Sequence, residues 1–163
     1  MNKTTSIVLT LLSLCGSLLA GPKNPQHAIV DPIEKEPFSA SVYSSAKLNS
    51  DNSSLYAGAG FALGYDLWDD VKISAGTTYF WQSDGAFDFD LSLTKSYKVW
   101  RSLSFYSVVG GGFEQNDENQ WFLSSGGGLS WQINNFAVFT DATYNFAEDS
   151  DFKTFRLGLN YKF

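Results

Sequence analysis

The sequence predicts an all-β protein, an eight-stranded antiparallel up-and-down transmembrane β-barrel, over residues 38–163. Apolar and polar side chains alternate there with a period of two, as they do on the opposite faces of a strand. No proline follows residue 37, so no ladder of strand hydrogen bonds is interrupted. Turn signals divide the region into eight segments, and short turns alternate with polar loops, which is the arrangement of an outer-membrane barrel.

Residues 1–20 are predicted to be a signal peptide. Lys3 supplies the positive start, "IVLTLLSLCGSLL" the apolar stretch, and Ala20 the small residue at a cleavage site. A transmembrane anchor is the alternative, but the apolar stretch is shorter than the roughly 20 residues that a spanning helix needs. A lipid anchor on Cys15 is a second alternative, although Leu14 stands where lipoproteins carry a small residue.

Residues 21–37 contain all four prolines and little apolar periodicity, which predicts a flexible N-terminal arm. Cleavage after Ala20 would remove the only cysteine, leaving no thiol for a disulfide or a thiolate metal site. The full chain carries a net charge of −6, and the predicted cleavage removes a lysine but no acidic residue. Nucleic-acid binding is excluded, because it requires a basic face.

The eight strands follow from the alternation. In "AFDFDLSLTKS", for example, Phe87, Phe89 and Leu91 share one face, while Asp88 and Asp90 share the other. The predicted strands are 38–47, 54–68, 71–82, 86–97, 102–115, 120–134, 136–147 and 152–163. The connections "KLNSDNSS", "SDGA", "QNDENQ" and "EDSD" are polar loops, whereas "WDD", "KVWRS" and "NN" are tight turns.

Three features favour a barrel whose apolar face is outside. Most strands reach the 9–11 residues or so that cross a bilayer at a tilt. The apolar face is rich in bulky side chains, which would overpack the narrow interior of an eight-stranded barrel. Aromatic residues cluster near strand ends, as in interfacial girdles; they are Trp68, Trp81, Trp100, Trp121, Trp131, Tyr144 and Phe163. A soluble periplasmic barrel that binds an apolar ligand remains the alternative.

The last eight residues, "RLGLNYKF", resemble the C-terminal assembly signal of bacterial outer-membrane barrels. Arg156, Gly158, Tyr161 and Phe163 occupy its polar, glycine and two aromatic positions. Residues 38–163 therefore resemble, in pattern, the small eight-stranded barrels of the OmpA transmembrane-domain type, without indicating a subfamily. The resemblance implies a monomer in the outer membrane of a Gram-negative-type bacterium, with its arm in the periplasm. Its implied partners are outer-membrane lipid, lipopolysaccharide and the barrel-assembly machinery.

A polar network inside the lumen is predicted from strand parity, with Asp88, Asp90, Asp141 and Arg156 as its charged members. Symmetric pairing about "EDSD" would place Arg156 opposite Thr143 and diagonal to Asp141, with Asp90 across the lumen. Asp88 and Asp90 also suit acid–base catalysis, but two acids on one strand face fit a lumen network better.

No catalytic or cofactor site is predicted. Barrels of this type that acylate or deacylate lipid A rely on a histidine near a serine and an acid, and the single histidine, His27, lies in the arm. The glycine-rich stretches "VVGGGF" and "SSGGGLSW" lack the lysine and helix of a phosphate loop. Acids in the loops suit solvated tips better than a divalent-cation site; they are Asp51, Asp84, Asp117, Glu118, Glu148, Asp149 and Asp151.

The predicted function is that of an outer-membrane barrel with a packed polar lumen and a structural or surface-interaction role. The alternative is a small transport or ligand-binding barrel, in which Gly110, Gly112, Gly126 and Gly128 open a cavity in the lumen.

Overall fold

A computed structural model describes residues 37–51, 53–68, 70–81, 85–115 and 119–163. The predicted signal peptide, the arm up to residue 36, His27, Asp84, Asp117 and Glu118 lie outside the described residues. The strands are β1 (Phe38–Asn49), β2 (Leu55–Trp68), β3 (Val71–Phe80), β4 (Ala86–Trp100), β5 (Leu103–Gln115), β6 (Gln120–Ile133), β7 (Phe136–Ala147) and β8 (Phe152–Lys162).

The eight strands form one closed barrel in sequence order, as predicted. Every strand pairs antiparallel with its neighbours in the chain, and β1 closes the barrel by pairing with β8. Three tight turns lie at one end of the barrel, which also holds Phe38 and Phe163; we call it the turn end. The four connections at the other end are the predicted polar loops, and we call it the loop end.

Two β-bulges interrupt the period-two pattern near the turn end. One lies between Asp66 and Trp68 of β2, and the other between Lys98 and Trp100 of β4. Each bulge adds an unpaired residue, and beyond it the side chains change face. The alternation placed Trp68 on the small and polar face, whereas the structure leaves this side chain 62% exposed. The second bulge carries β4 on to Trp100, past its predicted end at residue 97.

The predicted register of β7 and β8 is wrong by two residues: Arg156 was expected opposite Thr143. Arg156 pairs directly with Asp141, and Thr143 pairs with Thr154. The connecting loop is asymmetric because Asp151 folds back on β7. Its carboxylate accepts hydrogen bonds from the Tyr144 hydroxyl (2.9 Å) and the Ala147 backbone N–H (3.3 Å).

The barrel has its apolar face outside and its polar face inside, the inverse of a soluble barrel. Large apolar side chains from seven of the eight strands are exposed on the outer wall, among them Val42, Phe61, Leu91 and Leu159. The inner face is small or polar apart from a few buried aromatic side chains, and its buried polar members include Ser39, Lys47, Asp88, Glu114 and Asp141. Among the described residues, no helix is long and apolar enough to cross a membrane.

Candidate functional site in the barrel lumen

Among the described residues, nine charged side chains belong to the inner face, and they come from seven of the eight strands. Strand parity and their partial or full burial place them on the inner face. They are Lys47, Asp66, Lys72, Asp88, Asp90, Glu114, Asp141, Arg156 and Lys162. All of them except Asp88 belong to three groups at successive depths, and each group has a different chemistry.

The loop end of the lumen is closed by a group that we call the plug: Lys47, Glu114, Phe80, Phe122 and Phe152. Lys47 Nζ lies 2.5 Å from a Glu114 carboxylate oxygen, and both side chains are almost fully buried. The Gln120 amide donates to the same carboxylate at 3.0 Å. The Lys47 ammonium also lies 4.1 Å from the centre of the Phe152 ring, close enough for a cation–π interaction. A buried ion pair needs such additional partners to offset its desolvation.

The middle of the lumen holds a second group, which we call the floor: Tyr43, Asp90, Tyr106, Asp141 and Arg156. Arg156 Nε donates to Asp141 Oδ1 at 2.8 Å, and the Tyr106 hydroxyl donates to Asp141 Oδ2 at 3.0 Å. Both oxygens of this buried carboxylate are therefore satisfied. Tyr43 hydrogen-bonds Thr78 at 3.0 Å, and its ring centre lies 5.4 Å from the Arg156 guanidinium carbon.

Glycines in the neighbouring strands make room for the floor tyrosines. A Cβ atom on Gly128 would lie 2.7 Å from the Tyr106 ring and 2.7 Å from Asp141 Cβ. A Cβ atom on Gly60 would lie 2.6 Å from the Tyr43 ring. Aromatic rings thus occupy the space that these glycines leave. The proposal that lumen glycines open a cavity is not supported, because no glycine lines the cavity described next.

A cavity of about 260 Å³ lies between the floor and the turn end. Serine and threonine side chains line much of it, including Ser74, Ser92 and Ser104. The predicted packed polar lumen is therefore found in the loop half, whereas the turn half holds this cavity. Most of the inward residues here are small, so the mouth lysines and Phe139 leave part of this space unfilled.

The third group lies at the turn end of the cavity, and we call it the mouth: Asp66, Lys72 and Lys162. Asp66 pairs with Lys72 across β2 and β3, and its carboxylate lies 2.6 Å from Lys162 Nζ. The Lys162 and Asp66 side chains are 38% and 27% exposed, so the cavity reaches solvent here. Asp70 also lines the cavity, and its carboxylate lies 3.9 Å from Lys95 Nζ.

The predicted lumen network divides between two of these groups. Asp141 and Arg156 form the predicted contact, and Asp90 lines the same cavity within range of the Arg156 charge. Asp88 lies nearer the plug, within range of the Lys47 and Glu114 charges. Asp88 Oδ1 has no hydrogen-bond partner among the described residues.

Sequence reasoning missed Lys47, Glu114 and the mouth lysines. Parity alone assigns each of them to the inner face, so the signal was present. Their partners were not predictable, because Lys47 and Glu114 lie on strands that do not pair and meet only across the closed barrel.

The residues of the C-terminal motif divide by face. Arg156 and Gly158 point inward, whereas Tyr161 and Phe163 are exposed on the outer wall. Phe163 stacks on Phe38 with a centroid distance of 6.5 Å, and its backbone N–H donates to Phe38 C=O at 3.1 Å. Across the described residues, no group of three or more histidine, cysteine or acidic side chains is placed to hold a metal ion.

Known proteins share the architecture but little sequence. No protein-family model matches the chain, and no curated protein matches it significantly. The N-terminal barrel of Pseudomonas aeruginosa OprF matches with a TM-score of 0.62 and 16% identity, over 77% of this chain and 97% of that one. Neisserial surface protein A matches with a TM-score of 0.64 and 12% identity, over 77% of this chain and 96% of that one.

The outer membrane enzyme PagL matches with a TM-score of 0.50 and 14% identity, over 76% of this chain and 99% of that one. The same architecture therefore carries a surface protein and an enzyme, so the fold does not assign an activity. The closed antiparallel barrel described here has the fold of the small eight-stranded outer-membrane β-barrels, of the OmpA transmembrane-domain type.

Proposed function

We propose that this chain is an integral outer-membrane β-barrel of a Gram-negative-type bacterium, with a structural or surface-interaction role. The observation that carries the proposal is the outer wall, where Phe, Leu, Val, Ile, Trp and Tyr side chains are exposed on seven of the eight strands. Soluble monomers rarely expose an apolar patch of more than a few hundred Å². A lipid environment removes that surface from water.

The inner face supports the same proposal against a soluble barrel that binds an apolar ligand. Such a barrel has an apolar interior, whereas this lumen holds nine charged side chains and a cavity with hydroxyl-bearing walls. An apolar ligand would leave those polar groups without hydrogen-bond partners, which is costly.

Lipid and lipopolysaccharide are the proposed environment, and the proposed state is a monomer. Trp81 and Trp121 are exposed at the loop end, and Trp68, Trp100 and Trp131 at the turn end, as two interfacial girdles require. The barrel-assembly machinery is the proposed partner of the C-terminal motif, since Tyr161 and Phe163 present their rings on the outer wall.

A catalytic role is not proposed. The only histidine of the sequence is His27, outside the described strands. Of the lumen carboxylates, Asp141 and Glu114 are engaged in ion pairs. An open pore is not proposed either, because the plug closes the loop end, where Phe80, Phe152, Lys47 and Glu114 are all at most 2% exposed.

Fractionation of cells tests the membrane proposal. The protein is expected in the outer-membrane fraction, resistant to carbonate and salt washes and soluble only in detergent. Unboiled samples should migrate differently from boiled ones in a denaturing gel, because a closed barrel resists detergent until heated. Recovery in the soluble periplasm without detergent would refute membrane insertion, and identical migration would argue against a closed barrel.

A further inference from the structure

The lumen cavity has opposite excess charges at its two ends. The mouth contains Lys72 and Lys162 against Asp66, so it carries one excess positive charge. The floor contains Asp90 and Asp141 against Arg156, so it carries one excess negative charge. Asp70 at the mouth is offset by Lys95, its 3.9 Å neighbour. No metal ion, histidine or cysteine is needed to describe this arrangement.

Hydrogen-bonding capacity is also left over in the cavity. The Arg156 guanidinium lines the cavity and uses Nε–H for Asp141. Hydroxyl groups of Ser74, Ser92 and Ser104 line the wall between the floor and the mouth. A peptide-like group in the cavity would find both donors and acceptors along its length.

The dimensions limit what fits. The cavity of about 260 Å³ is smaller than the roughly 300–1,000 Å³ of a typical drug-sized pocket. The separation of Lys72 and Asp90 follows from the strand register. Lys72 lies opposite Thr94, which is four residues from Asp90 on β4, or roughly 13 Å at about 3.3 Å per residue. Because both side chains reach into the cavity, the gap between the charges is shorter. An extended tripeptide spans roughly 10 Å at about 3.3–3.6 Å per residue.

We propose that this cavity is a binding site for a small zwitterion of di- or tripeptide size, bound with its ammonium at the floor and its carboxylate at the mouth. Asp90 receives the ammonium, and Lys72 receives the carboxylate. The ligand enters and leaves at the turn end, because the plug closes the loop end. The site therefore binds without conducting across the barrel.

The test uses the full-length protein folded in detergent micelles and isothermal titration calorimetry with L-Ala-L-Ala-L-Ala. N-acetylation of this peptide removes its ammonium and adds an acetyl group, whereas C-terminal amidation removes its carboxylate at nearly constant size. We expect saturable binding of trialanine, and binding at least tenfold weaker for each modified peptide. No saturable binding up to 10 mM trialanine, or equal binding of the three peptides, would overturn the proposal.

Two variants assign the ends. In Asp90→Asn, trialanine and its N-acetylated form should bind equally, whereas the loss on amidation should persist. In Lys72→Met, trialanine and its amidated form should bind equally, whereas the loss on N-acetylation should persist. Asp88→Asn is the matched control: it lies on the same strand and face, two residues away, but does not line the cavity. Discrimination against N-acetylated peptide that survives Asp90→Asn would overturn the assigned orientation.

A folding defect cannot mimic this result. Each variant is assayed only as the heat-modifiable folded form, and the three-peptide comparison on the parent protein needs no variant. Failure of peptide binding would leave the outer-membrane proposal intact, because that proposal rests on the exposed outer wall and is tested by fractionation.

Discussion

Arg156 and Asp141 form an ion pair because strand parity and strand register together bring them into contact. Parity put both side chains in the lumen, and the register of β7 and β8 sets them directly opposite, with Nε and Oδ1 2.8 Å apart. The sequence predicted the faces correctly but not the choice of register, and in the structure the Ala147 N–H donates to Asp151 in the loop beside the first pair. Period two contains no information about that choice.

Arg156→Ala should destabilise the folded barrel by about 3 kcal/mol, since removing one partner leaves a buried carboxylate unpaired. Adding Asp141→Asn should recover part of the loss. Urea unfolding after refolding into micelles measures both. Lys162→Ala is the control, because it breaks a half-exposed pair at the mouth that is worth at most about 1 kcal/mol. An Arg156→Ala barrel within about 0.5 kcal/mol of the parent would show that the guanidinium is solvated.

Adjacent glycines in β6 differ in the space beside them. Gly128→Ala should destabilise the barrel by about 1–3 kcal/mol, the usual cost of overpacking, because its Cβ would meet the Tyr106 ring and Asp141 Cβ at 2.7 Å. Gly127→Ala points outward, where its Cβ would lie 2.8 Å from the Tyr106 carbonyl oxygen and 3.3 Å from the Phe105 ring; it should cost less, because the Cβ of Gly128→Ala would also lie closer to a backbone oxygen, that of Thr140. The same urea titration compares them. Equal losses would mean that backbone crowding, rather than the tyrosine, explains the glycines.

The strands themselves were predictable because each has one apolar and one polar face. The ends of β5 and β6 lie within one residue of prediction, and β7 matches it. The largest difference is in β4, where the bulge at Lys98 and Trp100 keeps the chain paired beyond the pattern. A bulge changes the period locally, so alternation cannot predict it.

An experiment can separate the two expected functions of the last strand, which are its structural contacts and its assembly signal. Deleting Phe163 removes one hydrogen bond and one ring contact to Phe38, a small change for refolding in micelles. If the terminal aromatic is also read by the assembly machinery, folded protein in the outer membrane of cells should fall several-fold while secretion continues. Refolding yield in vitro is the control and should stay near that of the parent. An unchanged folded yield in cells would contradict the assembly signal.

At the scale of the whole molecule, closure brings together residues that no local pattern links. The Lys47–Glu114 pair joins β1 to β5 across the lumen, and Phe80, Phe122 and Phe152 come from three further strands. The sequence indicated which residues face inward. It did not indicate their depth, because depth depends on the stagger of all eight strands. The plug, the cavity and the mouth therefore emerged only from the structure.

The plug predicts the electrical behaviour of the barrel. In planar bilayers the parent should show no steady porin-like conductance, because its loop end is filled by side chains at most 2% exposed apart from Phe122. Phe80→Ala combined with Phe152→Ala should produce measurable openings. Control barrels carrying Phe87→Ala and Phe155→Ala, on the outer wall, should stay closed. Steady conductance in the parent would contradict the plug.

The inverted arrangement of faces is the central claim, and cysteine accessibility tests it most directly. Single cysteines replace Leu91, Leu159 or Ser92 in a chain that carries Cys15→Ser, and each is probed in isolated outer membranes. Ser92 is the inward neighbour of Leu91. Leu91 and Leu159 are 57% and 50% exposed in the barrel, so burial in protein does not protect them. We expect cysteines there to resist a water-soluble thiol reagent and to react with a membrane-soluble one, while the cysteine at Ser92 reacts with the small aqueous reagent through the open cavity. Rapid labelling of the Leu91 and Leu159 positions by the aqueous reagent would place the apolar wall in water and contradict the account.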